Sequence, residues 1–307
     1  MKIYLSKINE DWIVDRVRKD WYENNKSIST KFIKNSNIAW IISPWLWKKI
    51  PEKYLIEKKI LCSIYHIDLT TFKGDAEKTF YELEEYVDEF HVISEKTKKI
   101  LSELTNKKIT SIPLWVNQRD WFYIEDKVTI RREFNFTPEE YLVGSFQRDT
   151  EGHDLISPKL IKGPDLFIEA VLKLYEKNKN LKVVLTGKRR QYIIKRLQEN
   201  KIPYKYFEMV KIEKLNKLYN ILDLYIVSSR TEGGPQAIVE CGITKTPVVS
   251  TNVGIAEEIL SPESIYDIDE FYKAEPNVEY AFNKSKELTV PKGMKKYVEM
   301  FEDIYEN

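Results

Sequence analysis

Apolar runs of strand length alternate with segments of helical period along most of the chain, the pattern of parallel sheets covered by helices on both faces. In the N-terminal part the runs Lys2–Leu5, Ile38–Ile42, Ile60–Tyr65, Glu89–Ile93 and Ile109–Ile112 are expected as strands. Stretches such as Trp12–Tyr22 and Ala76–Tyr86 carry the helical period between them. The C-terminal part repeats the alternation more clearly. Strands are expected at Tyr141–Phe146, Lys182–Thr186, Leu224–Ser228 and Pro247–Ser250, and helices at Pro164–Lys177, Gln191–Glu199, Glu213–Ile221 and Pro235–Ile243. The fold class is therefore α/β, with a join near Trp121–Asp126 that divides residues 1–124 from residues 125–290. The amphipathic stretch Lys292–Tyr305 has no place in the second sheet, so residues 291–307 are expected to pack back on the first domain.

Composition narrows this picture in three ways. Eight of the ten glycines lie between Gly144 and Gly254. Glycine is needed where backbone approaches a ligand or takes positive φ, so the main ligand loops belong to the second domain. A net charge of +1 provides no overall field for nucleic acid. Cys62 and Cys241 are far apart, and His66, His91 and His153 are dispersed, so neither disulfide nor metal-ligand spacing is present and no metal site is expected. The opening residues turn acidic after one short apolar run, and no run reaches membrane-spanning length, which points to the cytoplasm.

The densest chemistry lies between Ser228 and Leu260, SSRTEGGPQAIVECGITKTPVVSTNVGIAEEIL. A strand ends in a turn bearing Glu232, Gly233 and Gly234, and Pro235 suits the first position of the helix that follows. Free amides at such a helix start form a natural phosphate site. Glu240 lies eight residues after Glu232, inside the helix, so the two carboxylates can address different parts of one ligand, and each can accept vicinal sugar hydroxyls. An ordinary βα turn with two solvated glutamates would show the same local spacing. Upstream, a strand closes at Gly144–Ser145, Arg148 follows, and Lys162–Gly163–Pro164 opens a helix. An arginine and a lysine converging on strand ends can neutralise a diphosphate leaving group. Isolated, the pair would read as a charged surface loop. The stretch between them carries His153, Asp154 and Lys159, and Lys159 competes with Lys162 for the phosphate role.

These strings resemble the family 4 glycosyltransferases, over about Tyr86 to Leu260. The Glu-x7-Glu segment, TPVVSTNVG and the following EEIL are similar, as are the Gly, Arg and Lys-Gly upstream and LKVVLTGKRR with Gly187 at its strand end. The resemblance implies two Rossmann-like domains facing across a cleft (the GT-B arrangement), the first on the acceptor side and the second holding a nucleotide-sugar. It implies a retaining, metal-independent glycosyltransferase with a UDP- or GDP-linked donor as substrate and no cofactor, acting on a glycan or glycoconjugate hydroxyl. In that scheme Glu232 holds the donor sugar, Glu240 the ribose, and the loop at Met209–Val210 the base. His66 occupies the place of a family histidine that approaches the sugar, although a histidine at a strand end also serves structural ends, and Asp68 could orient it. The chain departs from the family in its first 80 residues, where YLSKINEDWIVDRV replaces a glycine loop. The Trp40–Lys59 stretch mixes tryptophan with lysine, suited to stacking on a sugar acceptor, to peripheral docking on an anionic membrane surface, or to a core strand followed by a solvated helix. A nucleotide-sugar epimerase of the same architecture and a non-enzymatic nucleotide-sugar or glycan binder are the alternative readings.

Overall fold

The computed structural model describes residues 1–7, 13–268 and 270–306. The chain divides into two compact units, Met1–Trp115 with Leu288–Asn307, and Val116–Glu287. The join, expected at 124/125, lies by packing after Trp115. The intervening segment is held by the second unit: the Trp121 ring meets Tyr219 edge-on at 5.4 Å. The amides of Phe122 and Ile124 donate to the Asn216 and Asn220 side chains at 3.1 and 2.7 Å.

The first unit contains five parallel strands, β1 (Ile3–Leu5), β2 (Ile38–Ile41), β3 (Lys59–Ile64), β4 (Glu89–Val92) and β5 (Lys108–Ser111), side by side in chain order. Strands buried on both faces tolerate continuous apolar runs, and β2 is buried at every position. On the outer edge of β1 a single parallel bridge joins Ile3 to Ser29. The chain thus touches one side of β1 before crossing to pair β2 on the other. The glycine-free segment after β1 includes residues 8–12, which lie outside the described residues, as does Trp12 of the first expected helix; the helix is seen from Ile13 to Asn24.

The C-terminal helix Lys295–Glu306 completes this unit. Tyr297, Met300, Phe301 and Ile304 recur at helical spacing and are all buried. Phe301 meets Trp21 and Trp40 edge-on at 5.2 and 5.4 Å, and Tyr297 meets Trp115 at 5.0 Å. Of the Trp40–Lys59 tryptophans, Trp40 is core, Trp47 is half-buried beside Tyr86, and Trp45 is exposed.

A buried polar chain runs through this aromatic core. Trp40 Nε1 donates to Ser63 Oγ at 2.8 Å, and Ser63 Oγ lies 2.8 Å from His91 Nδ1. His91 Nε2 lies 2.8 Å from the Ile112 carbonyl, to which Tyr297 also donates at 3.1 Å. Because a carbonyl only accepts, the proton sits on Nε2 and Nδ1 accepts from Ser63. His91 is therefore a neutral structural member of the core.

The second unit is a six-stranded parallel sheet. Its strands are β6 (Tyr141–Ser145), β7 (Leu181–Thr186), β8 (Tyr204–Phe207), β9 (Leu224–Val227), β10 (Val248–Thr251) and β11 (Ile265–Tyr266), in the order β11-β10-β9-β6-β7-β8. The chain moves outward from β6 through β7 to β8, then returns to the other side of β6 and moves outward again. This is the doubly wound order, with its reversal between β6 and β9. Helices Pro164–Lys177 and Gln191–Glu199 have the expected bounds. Strands β8 and β11 were not expected. The first is a four-residue edge strand of three aromatics and one lysine, and the second has only two residues, so pairing with β7 and β10 defines them. Among the described residues no helix is long and apolar enough to cross a membrane.

Burial holds the His91 pKa down at about 4, against the opposing pull of the Ile112 carbonyl. The unfolded chain, with a histidine near 6.5, binds the proton first. This contribution to stability is therefore complete above about pH 6.5 and is lost as pH falls toward 4, on the order of 3 kcal/mol in all. Denaturant unfolding followed by tryptophan fluorescence at pH 7 and pH 4.5 should show the loss, and His91→Gln should flatten that part of the pH dependence.

Candidate active site

The reversal between β6 and β9 places the loops after these two strands side by side, and both principal motifs lie there. Gly144, within β6, is buried beneath Leu222; a Cβ there would lie 2.3 Å from Leu222 Cδ1. The packing of the central strand thus leaves no room for a side chain at this position. Beyond β6, Gln147 Nε2 donates to the Lys162 carbonyl at 2.8 Å, and Gln147 Oε1 lies 3.2 Å from Ser229 Oγ.

The Lys162 and Glu232 loops are bound together closely. Gly163 has φ of +58°, and a Cβ on it would fall 1.7 Å from the Ser228 carbonyl oxygen. Ser228 Oγ in turn donates to the Gly163 carbonyl at 2.8 Å. The Arg230 and Thr231 amides donate to the Ile161 carbonyl at 2.9 and 3.1 Å, and the Arg230 guanidinium grips Asp165 with two bonds of 2.8 and 2.6 Å. Across this junction the Lys162 ammonium donates to Glu232 Oε1, which also lies 3.4 Å from Ser229 Oγ. Lys162 and Glu232 are mostly buried, with side-chain exposures of 22% and 14%.

Gly233 and Gly234 follow, and Pro235 stands just before the helix Gln236–Thr244, one position ahead of its first turn. The loop after β10 presses on them: a Cβ at Gly254 would lie 2.4 Å from the Gly233 carbonyl and 2.9 Å from the Gly234 nitrogen. Thr251 at the end of β10 donates to the Ser229 carbonyl at 2.6 Å.

Two further cations adjoin Lys162. Arg148 is exposed, and its Nε donates to the Thr150 carbonyl at 2.7 Å. Lys159 is half-buried, and its pKa is lowered, first by lost hydration and then by the charges of Arg148 and Lys162, against the pull of Glu151 and Glu232. The long stretch before Lys162 explains this. It forms a small hairpin in which Thr150 bridges Pro158, the Glu151 amide donates to the Ser157 carbonyl, and Asp154 closes the tip through Ile156 and Ser157. The chain returns to its starting point with Lys159 beside Arg148, while His153 stays exposed at the tip.

The remaining expected residues are more dispersed. Glu240 is buried, 4% exposed, and accepts from the Tyr219 hydroxyl at 2.9 Å. Tyr219 sits in an aromatic cluster with Phe146 and Tyr225. Gly187 follows β7 with φ of +88°, and its carbonyl accepts from Tyr206. Val210 is half-buried after the edge strand β8. His66 belongs to the first unit, exposed at the end of β3. Asp68 is engaged by Thr70 through amide and hydroxyl at 3.0 and 2.6 Å, and these bonds hold its carboxyl below the usual range. Among the described residues no group of His, Cys, Asp or Glu is placed to hold a metal ion.

Gln147, Ser229 and Tyr219 were not singled out from the sequence, and neither was Arg190. Each acts through a partner distant in the chain, and only the serine beside Glu232 carried a positional hint.

Residues 157–288 match the family model for glycosyl transferases group 1. Solved structures with the same fold include HepE of Anabaena in complex with UDP and glucose. It is 12% identical, with 99% of this chain and 100% of that chain covered and a TM-score of 0.75. Sucrose-phosphate synthase of Thermosynechococcus elongatus is 14% identical over 97% of this chain and 80% of its own, with a TM-score of 0.71. A glycosyltransferase of Rickettsia africae is 16% identical, covering 98% and 84% with a TM-score of 0.64. No curated protein sequence matches the chain. The fold is that of the GT-B glycosyltransferases, and the segment that matches the family model spans the Lys162 and Glu232 loops.

The junction at Gly163 should be intolerant of any side chain. Gly163→Ala adds a backbone clash to positive-φ strain and should cost about 3 kcal/mol or more. Gly152→Ala, also at positive φ but with only Asp154 Oδ1 nearby at 3.6 Å, should cost about 1–2 kcal/mol. Denaturant unfolding of the two variants measures the difference.

Proposed function

We propose that this chain is a retaining, metal-independent glycosyltransferase of the family 4 type. It moves a sugar from a UDP- or GDP-linked donor to a hydroxyl of a glycan or glycoconjugate. The observation that carries the reading is the gathering of Arg148, Lys159 and Lys162 around Glu232 at the reversal of the doubly wound sheet. Three cations around one carboxylate leave an excess of positive charge beside the partly buried Lys159 and Lys162, and a diphosphate supplies the matching negative charge. The complex of HepE with UDP and glucose favours a UDP-linked donor.

In this mechanism Lys162 and Arg148 stabilise the negative charge that develops on the diphosphate as the bond from the anomeric carbon to the phosphate oxygen breaks. The Gly233 and Gly234 amides, near the start of the helix Gln236–Thr244, add donors to the same charge. Glu232 exchanges its contact with Lys162 for the sugar hydroxyls. The acceptor oxygen attacks the face that the diphosphate leaves, and its proton passes to the departing phosphate, so no separate base is required. Glu240, held by Tyr219, takes the ribose, and Val210 lies along the base.

Removing the charge at Arg148 or Lys162 should each cost about 1.5–3 kcal/mol of leaving-group stabilisation, seen mainly in kcat, and a chelator should leave turnover unchanged. Unaltered kcat in Arg148→Ala and Lys162→Ala with UDP-glucose and GDP-linked donors would remove the assignment; loss confined to Lys159→Ala would transfer the role to that residue.

The two glutamates should separate in calorimetry. Glu240→Gln should weaken nucleoside diphosphate and nucleotide-sugar alike, by on the order of 1–3 kcal/mol. Glu232→Gln should leave the bare nucleotide almost unaffected while reducing nucleotide-sugar affinity or turnover. Equal impairment of the bare nucleotide by both would make Glu232 a phosphate or structural residue.

A further inference from the structure

Behind the cation cluster lies an ion pair that the chemistry above does not use. Arg190 and Asp149 have side-chain exposures of 0% and 1%, with Nε to Oδ2 at 2.9 Å. Arg190 Nη1 also donates to the carbonyls of Ser145 and Thr186 at 2.6 and 3.0 Å, the last residues of β6 and β7. Asp149 is a pivot in its backbone too. Its amide donates to the Arg189 carbonyl at 3.1 Å, and its carbonyl accepts from the Lys159 amide at 2.8 Å. Its carboxylate lies beside the amides of Tyr192 and Ile193, at the start of the helix Gln191–Glu199.

Two phosphate-binding candidates are therefore attached to this one residue: Arg148 precedes it in the chain, and Lys159 is bonded to it. Burying two charges costs several kcal/mol per ion, and apolar residues of similar volume would often be as stable. What an apolar pair would not supply is direction. The guanidinium fixes the ends of two strands and the mouth of the hairpin in one plane of bonds.

Resting on the donor reading above, we propose that Arg190 and Asp149 are positioning residues for diphosphate binding, a buried clamp that sets Arg148 and Lys159 in the geometry the donor phosphates require. Neither touches the donor. The clamp acts by restricting where the two cations can be before the ligand arrives, which reduces the ordering cost of binding.

The test uses the full chain with UDP and GDP as probes. Asp149→Asn keeps the shape of the side chain and removes its charge; Arg190→Lys keeps the charge and loses the planar fork, covering the case in which the first variant does not fold. Binding is measured by calorimetry in the wild-type background and in Arg148→Ala/Lys159→Ala, and amide exchange is followed over residues 147–162 without ligand. The expected result is a roughly tenfold rise in Kd in the wild-type background, less than about twofold where both cations are already gone, and faster exchange confined to residues 147–162. The same factor in both backgrounds, or an unchanged Kd in a folded variant, overturns the clamp. If the wild type binds neither nucleotide, the donor reading fails. If it binds, and loses binding in Arg148→Ala/Lys159→Ala but not in Asp149→Asn, only the clamp fails. Exchange in residues 147–162 that matches the wild type in both variants also overturns the clamp, whether or not nucleotide binds.

Discussion

The site depends on a single close approach of backbone to backbone. The Ser228 carbonyl oxygen occupies the volume that a side chain at position 163 would need, and Gly163 adopts the left-handed conformation that lets the chain turn there. With that volume free, the Lys162 loop lies directly on the end of β9. The Ile161 carbonyl can then take the Arg230 and Thr231 amides, and the Lys162 ammonium meets Glu232. With any side chain at 163 the two loops would separate, and the lysine and the glutamate would each face a different environment. Gly254 repeats the device on the other side, where it lets the β10 loop press on the Gly233–Gly234 peptide.

Around this junction charge is distributed unevenly and to a purpose. Arg148 and Lys159 lie beside Lys162, whose ammonium holds Glu232, and lost hydration together with the two neighbouring charges lowers the Lys159 pKa. The adjoining buried groups are matched in the opposite way. Arg190 has Asp149, and Glu240 has Tyr219. Matched buried pairs hold their loops in place, and beside them Arg148 and Lys159 add positive charge next to the Lys162–Glu232 pair. The hairpin of residues 150–158 fits this division: it lengthens the loop, yet closes on itself and returns Lys159 to the cluster.

The first unit is organised around rings. Trp21, Trp40, Trp115, Tyr297 and Phe301 fill one core, and the Trp40–Ser63–His91 chain satisfies the Trp40 indole nitrogen and the His91 ring within it. The C-terminal helix contributes Tyr297 and Phe301 to that core, so the last residues of the chain complete the unit formed by the first.

The sequence alone determined the elements and the local turn chemistry. Helix Pro164–Lys177 and strands such as β6 and β7 follow from periodicity, and the Lys162–Gly163 and Glu232–Gly233–Gly234 turns follow from residue types whose conformational freedom is a property of a few adjacent positions. Short edge strands escaped, because Tyr204–Phe207 and Ile265–Tyr266 become strands only by pairing with β7 and β10. Tertiary structure alone decided which residues share a site. The strand order brings the ends of β6 and β9 together, gives Gly144 to packing under Leu222, and buries Glu240 against Tyr219. It also unites Asp149 with Arg190, 41 positions later in the chain. Burial and partnership are set by what arrives from distant parts of the chain, and no local pattern of hydrophobic and polar positions encodes that arrival.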